Sequence, residues 1–118
     1  MKRRLRITRR GDFDRLLKNR RLYAGEAFVA FAGPGASNGV RIGVTTSRQL
    51  RGAVVRNRAR RRLREATRVV LLADDSADRL QGNIDVVLIA RPGALELPFE
   101  KLAEEVARVG RRLREAGR

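Results

Sequence analysis

The stretch RQLRGAVVRNRARRRLREATR, residues 48–68, carries the densest positive charge of the chain and predicts a long amphipathic helix that continues to about residue 72. At about 100° per residue, its apolar side chains fall in a stripe roughly 80° wide, which we expect to pack on a core. Its cationic face spans an arc of roughly 140° on the opposite side. The stripe comprises Val55, Ala59, Leu63, Ala66 and Val70. The cationic face comprises Arg56, Asn57, Arg60, Arg61, Arg64 and Arg68.

The positive charge of this face is hardly neutralised by nearby acidic side chains, because Glu65 is the one acidic residue within this stretch. Arginines four positions apart, such as Arg56 and Arg60, repel each other by roughly a few tenths of a kcal/mol. A merely solvated surface is the alternative, but solvated faces usually mix the two charge signs. Since guanidinium groups bind phosphate oxygens bidentately and remain charged, the pattern favours a nucleic-acid partner.

Length and composition indicate a single, strongly basic domain spanning residues 1–118. The chain has a formal charge of +15 and is 42% hydrophobic, which supports a folded core and association with RNA, DNA or an anionic membrane surface. Its N-terminus has no apolar signal region, and no stretch approaches the ~20 apolar residues of a membrane span. We therefore expect a soluble, cytoplasmic protein.

The missing residue types constrain the chemistry. The sequence contains no histidine and no cysteine, so it has no imidazole general base, thiol nucleophile or ordinary zinc site. We expect no catalytic residue and no metal site in the protein itself. The acidic cluster of Asp74, Asp75 and Asp78 is interpreted as a solvated loop, with a cation site as the less favoured alternative.

Outside the basic helix, periodicity predicts two further helices and three strands. Residues 1–10 are expected to be a mobile basic arm, and Thr8 is a candidate N-cap for a first helix running through Phe13 to about Arg20. Residues 26–32 and 40–46 read as strands that flank a glycine-rich turn, and we predict that the second is antiparallel to the first. The apolar run 84–90 predicts a central strand. A last helix begins near Pro98.

The order α-β-β-α-β-α predicts an α/β (α+β) two-layer sandwich, with a small mixed sheet of three to four strands and three helices. The second strand, the basic helix and the third strand are placed to form a parallel βαβ crossover. Its hand cannot be read from the pattern, although right-handed crossovers are the general rule.

The run RIGVTTSRQL (residues 41–50) followed by AVVRNRARRRLREA (residues 53–66) resembles the signature of the bacterial ribonuclease P protein subunit. GDFDRLLKN (11–19) is similar to the first helix of that family and AFVAF (27–31) to its first strand, although Leu17 stands where a second aromatic residue is common. The resemblance implies a left-handed crossover. It also implies a subunit of a ribonucleoprotein endoribonuclease whose RNA, with Mg²⁺, removes the 5′ leader of precursor tRNA.

The resemblance implies two RNA-binding sites and no obligatory protein partner. The site for the catalytic RNA comprises Arg48, Arg56, Asn57, Arg58, Arg60, Arg61, Arg64 and Arg68. A cleft for the single-stranded leader comprises Phe13, Leu17, Val29, Phe31 and Ser47. Bases stack on such side chains without strong sequence preference. The alternative for Phe13 and Phe31 is that each belongs to the hydrophobic core.

Two other classes of protein fit the composition. A ribosomal or other rRNA-binding protein would also be small, basic and free of catalytic residues. A protein that lies on a membrane surface would need an exposed apolar face on the basic helix. The small residues Ala59 and Ala66 on that face instead favour close packing against a sheet.

Overall fold

The computed structural model describes residues 6–7, 10–35 and 39–116, and within them four strands form one mixed sheet in the order β1-β2-β4-β3. This arrangement confirms the predicted α+β class. In chain order the elements are α1 (Arg10–Leu17), β1 (Arg21–Ala24), β2 (Phe28–Pro34), β3 (Val40–Thr46), α2 (Ala53–Thr67), a π-helical turn (Arg68–Leu72), β4 (Ile84–Ala90), α3 (Gly93–Glu96) and α4 (Phe99–Ala116).

Strand β4 lies in the interior of the sheet, as its apolar run predicts. It pairs in parallel with β3 and antiparallel with β2, so β3, α2 and β4 form the predicted βαβ connection. Strands β2 and β3 run antiparallel, as predicted, but they do not pair with each other, because β4 lies between them. The central strand β4 is apolar on both faces except at Asp85, whereas the edge strand β3 carries Arg41 and Thr45 on one face. The left-handed sense of the connection stays a prediction.

The main core lies between one face of the sheet and helices α2 and α4. From the predicted stripe of α2, Ala59, Leu63 and Ala66 are fully buried, whereas Val55 in the first turn is exposed. The predicted helix is correct in position but begins at Ala53 and widens into the π-helical turn. On a continued α-helix Leu71 would lie about 120° from Ala59. In the wider π-helical turn, Leu71 is instead buried in the same core cluster as the stripe residues.

A second, smaller cluster lies on the opposite face of the sheet, under α1. It is built from the buried residues Ile7, Leu16 and Val87. The backbone N–H of Ile7 donates to the carbonyl of Ile42 at 2.9 Å, and Ile7 is only 4% exposed. Ile7 thus packs on the sheet within the segment predicted to be a mobile arm, and the mobility of that arm stays a prediction. Residues 1–5 and 8–9, including the candidate N-cap Thr8, lie outside the described residues.

Two short elements were not predicted from the sequence. Strand β1 has only four residues, and it begins at Arg21, so helix α1 ends at Leu17 rather than near Arg20. Helix α3 is a single turn that follows Pro92. The last helix, α4, is confirmed, and the buried hydroxyl of Tyr23 on β1 donates to Glu105 on this helix at 2.9 Å. This bond ties the edge of the sheet to α4.

Candidate nucleic-acid interface

The cationic face of α2 borders an open cavity of about 340 Å³. Its wall is formed by Arg6, Asn57, Arg60, Arg61, Arg64 and Glu65. Two of the lining residues are bonded to each other, since Arg60 Nη2 donates to Asn57 Oδ1 at 2.8 Å. Five of the six lining residues come from α2, and all of these except Glu65 belong to the predicted cationic face. Arg6 comes from the N-terminal segment and was not among the predicted RNA-binding residues.

Positive charge accumulates around this cavity without matching negative charge. Burial lowers the pKa of the Arg64 guanidinium, and the nearby charges of Arg6 and Arg60 lower it further. Glu65 is already engaged, because both of its carboxylate oxygens accept hydrogen bonds from Arg68, and the same hydrogen bonding lowers the pKa of Glu65. The cavity is therefore suited to an anion.

The arginines of α2 divide by what their side chains contact. Arg62 donates to the carbonyls of Ala94 at 2.6 Å and Leu97 at 2.7 Å, so it fixes α3 against α2. Arg56 Nε donates to the carbonyl of Leu50 at 2.7 Å, which holds the turn before the helix. The sequence alone gave no sign of the role of Arg62.

The other predicted RNA-binding residues do not line the cavity. Arg58 is exposed but lies about 160° around the helix from Arg60, on the other flank of α2. Arg68 is exposed and paired with Glu65. Arg48 is exposed in the turn before the helix, where the N–H of Leu50 donates to the carbonyl of Ser47 at 3.2 Å. The structure thus groups Arg60, Arg61 and Arg64 with Asn57, and places the others around them.

The predicted cleft lies on the face of the sheet that carries α1. Side chains of β2, β4 and β3 form rows across this face, because paired residues of neighbouring strands point to the same side. One row is Phe31, Val87 and Gly43, and α1 lays the Phe13 ring over it. The next row is Val29, Ile89 and Thr45.

The second row is only partly covered. Val29, Ile89 and Thr45 are half-buried, as are Phe13 and Phe31 beside them, while Leu17 at the end of α1 is exposed. Phe13, Phe31 and Val29 therefore lie on the same side of the sheet, and their binding of a leader stays a prediction. Ile89 and Thr45 were missed, because their place in the row depends on strand pairing that the sequence pattern did not reveal.

Ser47 lies where the chain leaves β3, one step beyond this row. Its backbone N–H donates to the carbonyl of Ala90 at 2.9 Å, which continues the pairing of β3 and β4. Its hydroxyl oxygen is shielded from solvent and makes no hydrogen bond with the described part of the chain. Ser47 therefore follows directly on the row of Val29, Ile89 and Thr45, and its binding of a leader stays a prediction.

A buried ionic network borders the cleft on its other side. Asp85 on β4 is fully buried and accepts hydrogen bonds from Arg15 of α1 at 2.6 Å and from Arg41 of β3 at 2.7 and 3.1 Å. Asp12 lies 3.4 Å from Arg41, and bonding to Asp85 raises the pKa of Arg41. Two carboxylates thus face two guanidiniums, and the network fixes α1 across the sheet.

The acidic cluster near the π-helical turn is dispersed. Asp74 pairs with Arg79 at 3.3 Å, and Asp78 pairs with Arg114 at 2.8 Å. Among residues 6–7, 10–35 and 39–116, no three acidic side chains come together in a way that could hold a metal ion. In the same ranges no helix is both long and apolar enough to cross a membrane.

Comparison with known proteins gives consistent matches over nearly the whole chain. The family model described as Ribonuclease P matches residues 1–114. The ribonuclease P protein component of Ruegeria pomeroyi is 38% identical over 110 residues, covering 91% of this chain and 84% of that protein. That of Erythrobacter litoralis is 41% identical over 110 residues, covering 92% and 85%.

Solved structures show the same fold. The Staphylococcus aureus RNase P protein superposes with a TM-score of 0.66 at 26% identity, covering 89% of this chain and 91% of that one. The Thermotoga maritima RNase P protein gives a TM-score of 0.71 at 24% identity, covering 91% and 96%. These matches give no support to the ribosomal alternative. The family model and the relatives together show that this chain belongs to the ribonuclease P protein family.

Proposed function

We propose that this protein is the subunit of ribonuclease P that binds both the catalytic RNA and the 5′ leader of precursor tRNA. The observation that carries the proposal is the presence of two chemically different surfaces on the two sides of one small sheet. Helix α2, with its cationic face, packs on the side of Val86 and Leu88, whereas the cleft opens on the side of Val87 and Ile89. Two RNA elements can therefore be bound at once.

The cationic face of α2 is suited to the structured RNA subunit. Phosphates of a folded RNA present fixed negative charges, which guanidinium groups on a rigid helix bind without much loss of entropy. Asn57, Arg60, Arg61 and Arg64 form the centre of this surface, since they line one cavity. Arg48, Arg56, Arg58 and Arg68 extend it on both sides.

The cleft is suited to an extended single strand. Phe13 and Phe31 offer partly exposed rings, and Val29 and Ile89 continue the apolar surface beside them. Stacking of a base on such a surface contributes ~1–3 kcal/mol and depends little on which base is present. A subunit that must accept many different leaders needs this tolerance.

The protein contributes binding and positioning, while cleavage is carried out by the RNA with Mg²⁺ held mainly by the RNA subunit. The chain has neither histidine nor cysteine. In the described part of the chain the buried carboxylates are Asp85, which accepts hydrogen bonds from Arg15 and Arg41, and Glu105, which accepts one from Tyr23. We expect the assembly to act in the cytoplasm on precursor tRNA, without an obligatory protein partner.

A binding comparison tests this proposal. The protein is titrated into a bacterial ribonuclease P RNA, and the resulting complex is then titrated with precursor and mature forms of one tRNA. We expect tight binding to the RNA subunit and a protein-dependent preference for the precursor. Equal binding of both tRNAs, together with co-purification of the protein with ribosomal subunits, would instead identify an rRNA-binding protein.

A further inference from the structure

Residues 6–7 lie against the outer edge of β3, and this placement directs Arg6 toward α2. Arg6 forms a parallel bridge with Ile42, and the neighbouring Ile7 is buried in the cluster beneath α1. Successive side chains of an extended segment point to opposite faces of a sheet. Since Ile7 points to the cleft side, Arg6 points to the α2 side, where it lines the cavity beside Arg60 and Arg64.

The wall of this cavity carries more hydrogen-bond donors than acceptors. Arg6, Arg60, Arg61 and Arg64 bring four guanidinium groups, whereas Glu65 is the single acidic residue in the wall and is bonded to Arg68. The Nε of Arg6 is shielded from solvent and makes no hydrogen bond within residues 6–7, 10–35 and 39–116. A cluster of donors of this kind is stabilised when an anion supplies the missing acceptors.

The cavity also offers a neutral donor. The side-chain carbonyl of Asn57 accepts a hydrogen bond from Arg60, which leaves the two amide N–H groups of Asn57 free to donate to a ligand. Guanidinium and amide donors that converge from two separate elements match the tetrahedral oxygens of a phosphate group.

We propose that this cavity is a discrete phosphate-binding site in which Arg6 and the α2 residues Arg60 and Arg64 clamp one backbone phosphate of the RNA subunit. The identity of the partner rests on the proposed function, but the preference for a phosphate group rests on the cavity alone. Arg6 is thereby a binding residue held by the sheet. Two neighbouring residues thus have different roles, since Ile7 packs beneath α1 while Arg6 lines the cavity on the opposite side of the sheet.

The test compares Arg6→Ala with Arg111→Ala, which removes the same charge from an exposed position on α4. Affinity for the RNA subunit is measured over a range of salt concentrations. For Arg6→Ala we expect the slope of log K against log salt to fall by about 0.7–0.9, the value for one phosphate contact. For Arg111→Ala we expect no change. An unchanged slope for Arg6→Ala, with circular dichroism like that of the unaltered protein, would overturn the proposal.

A second measurement needs no RNA. Inorganic phosphate is added to the isolated protein against sodium chloride of equal ionic strength, and the melting temperature is followed. Binding to the folded state alone raises the melting temperature in a saturable way. We expect saturable stabilisation of the unaltered protein and of Arg111→Ala, and its loss in Arg6→Ala and Arg64→Ala. Equal stabilisation of all four proteins would contradict a discrete site.

Two outcomes separate this inference from the function on which it rests. If the unaltered protein fails to bind the RNA subunit while phosphate still stabilises it through Arg6, the proposed function fails and the phosphate site stands. If Arg6→Ala lowers the salt slope only for binding of precursor tRNA to the assembled complex, the phosphate belongs to the substrate. That result would overturn the assignment to the RNA subunit.

Discussion

The ring of Phe13 lies directly on Gly43. A β-carbon at position 43 would come within 2.9 Å of two atoms of that ring and within 3.1 Å of the β-carbon of Ile7. Glycine at this position of β3 therefore allows α1 to approach the sheet and to hold an aromatic ring beside the row of Val29, Ile89 and Thr45. The shape of the cleft depends on this contact.

Gly43→Ala should displace Phe13 and weaken leader binding. The added methyl group forces the ring or the segment around Ile7 to shift, and overpacking of this kind typically costs about 1–3 kcal/mol of stability. We expect the assembled complex to bind precursor tRNA more weakly while its affinity for mature tRNA is unchanged. Equilibrium binding of both tRNAs checks this. Unchanged precursor binding would show that the position of Phe13 does not matter.

Phe31→Ala should remove a contact with the leader. Phe31 is half-buried and faces the cleft, so its truncation is expected to reduce precursor affinity by ~1–3 kcal/mol, or about 5- to 150-fold. Affinity for mature tRNA and for the RNA subunit should change little. Equal losses for both tRNAs, with a large fall in melting temperature, would place Phe31 in the core instead.

Phe28→Ala is the matched control for Phe31→Ala. Phe28 lies three residues earlier on the same strand, but it is fully buried in the main core on the other face of the sheet. Its truncation should cost ~3–5 kcal/mol of folding stability. We expect it to weaken every interaction together through unfolding, with no selective effect on precursor tRNA at temperatures where the variant is folded.

Replacing Arg56, Arg60, Arg61 and Arg64 together by alanine should weaken binding to the RNA subunit. If these four residues make about four phosphate contacts, the slope of log K against log salt should fall by about 3. The fold should survive, because the buried stripe of α2 is untouched. An unchanged affinity and slope, with native circular dichroism, would show that the face is only solvated.

Arg62→Ala tests whether an arginine of α2 acts through hydrogen bonds within the fold rather than through contact with RNA. Arg62 donates to two carbonyls around α3, so its removal leaves these acceptors without their partner. We therefore expect a lower melting temperature and an almost unchanged salt slope. A fall in the slope as large as that for Arg60→Ala would mean that Arg62 contacts RNA.

Loss of Asp85 should destabilise the protein strongly. Removing one partner of a buried ion pair leaves an uncompensated charge and typically costs about 3–5 kcal/mol. Asp85→Ala leaves Arg15 and Arg41 without their shared acceptor. Of the two partner variants, Arg41→Ala should cost more than Arg15→Ala, because the Arg41 side chain is 16% exposed and the Arg15 side chain 39%. Chemical denaturation of the three variants gives the order, and the reverse order would contradict the assignment.

The sequence predicted those features that depend on a local pattern. The stripe and cationic face of α2 follow from helical periodicity, and the interior position of β4 follows from its continuous apolar run. The cleft residues Phe13, Val29 and Phe31 were named only through the resemblance to a known family. The alternation of a strand places Val29 and Phe31 on one face and their neighbours on the other, but it does not show which face is open to solvent.

Features that depend on contacts between distant segments were not predicted. A local pattern gives the antiparallel directions of β2 and β3 but not the position of β4 between them, because β4 follows later in the chain. The pattern of β4 gives no sign of the ion pairs of Asp85, because its partners Arg15 and Arg41 lie 70 and 44 residues away. Arg6 was assigned to a mobile arm because no local pattern shows that Ile7 is buried under α1.

Cleavage of precursor tRNA at low Mg²⁺ concentration tests the central claim most directly. Four reactions are compared, with a bacterial ribonuclease P RNA present or absent and this protein added or omitted. We predict efficient removal of the leader only when both are present, weak cleavage with the RNA alone, and none with the protein alone. Robust Mg²⁺-dependent cleavage by protein free of RNA, or no effect of the protein on the RNA reaction, would contradict the account.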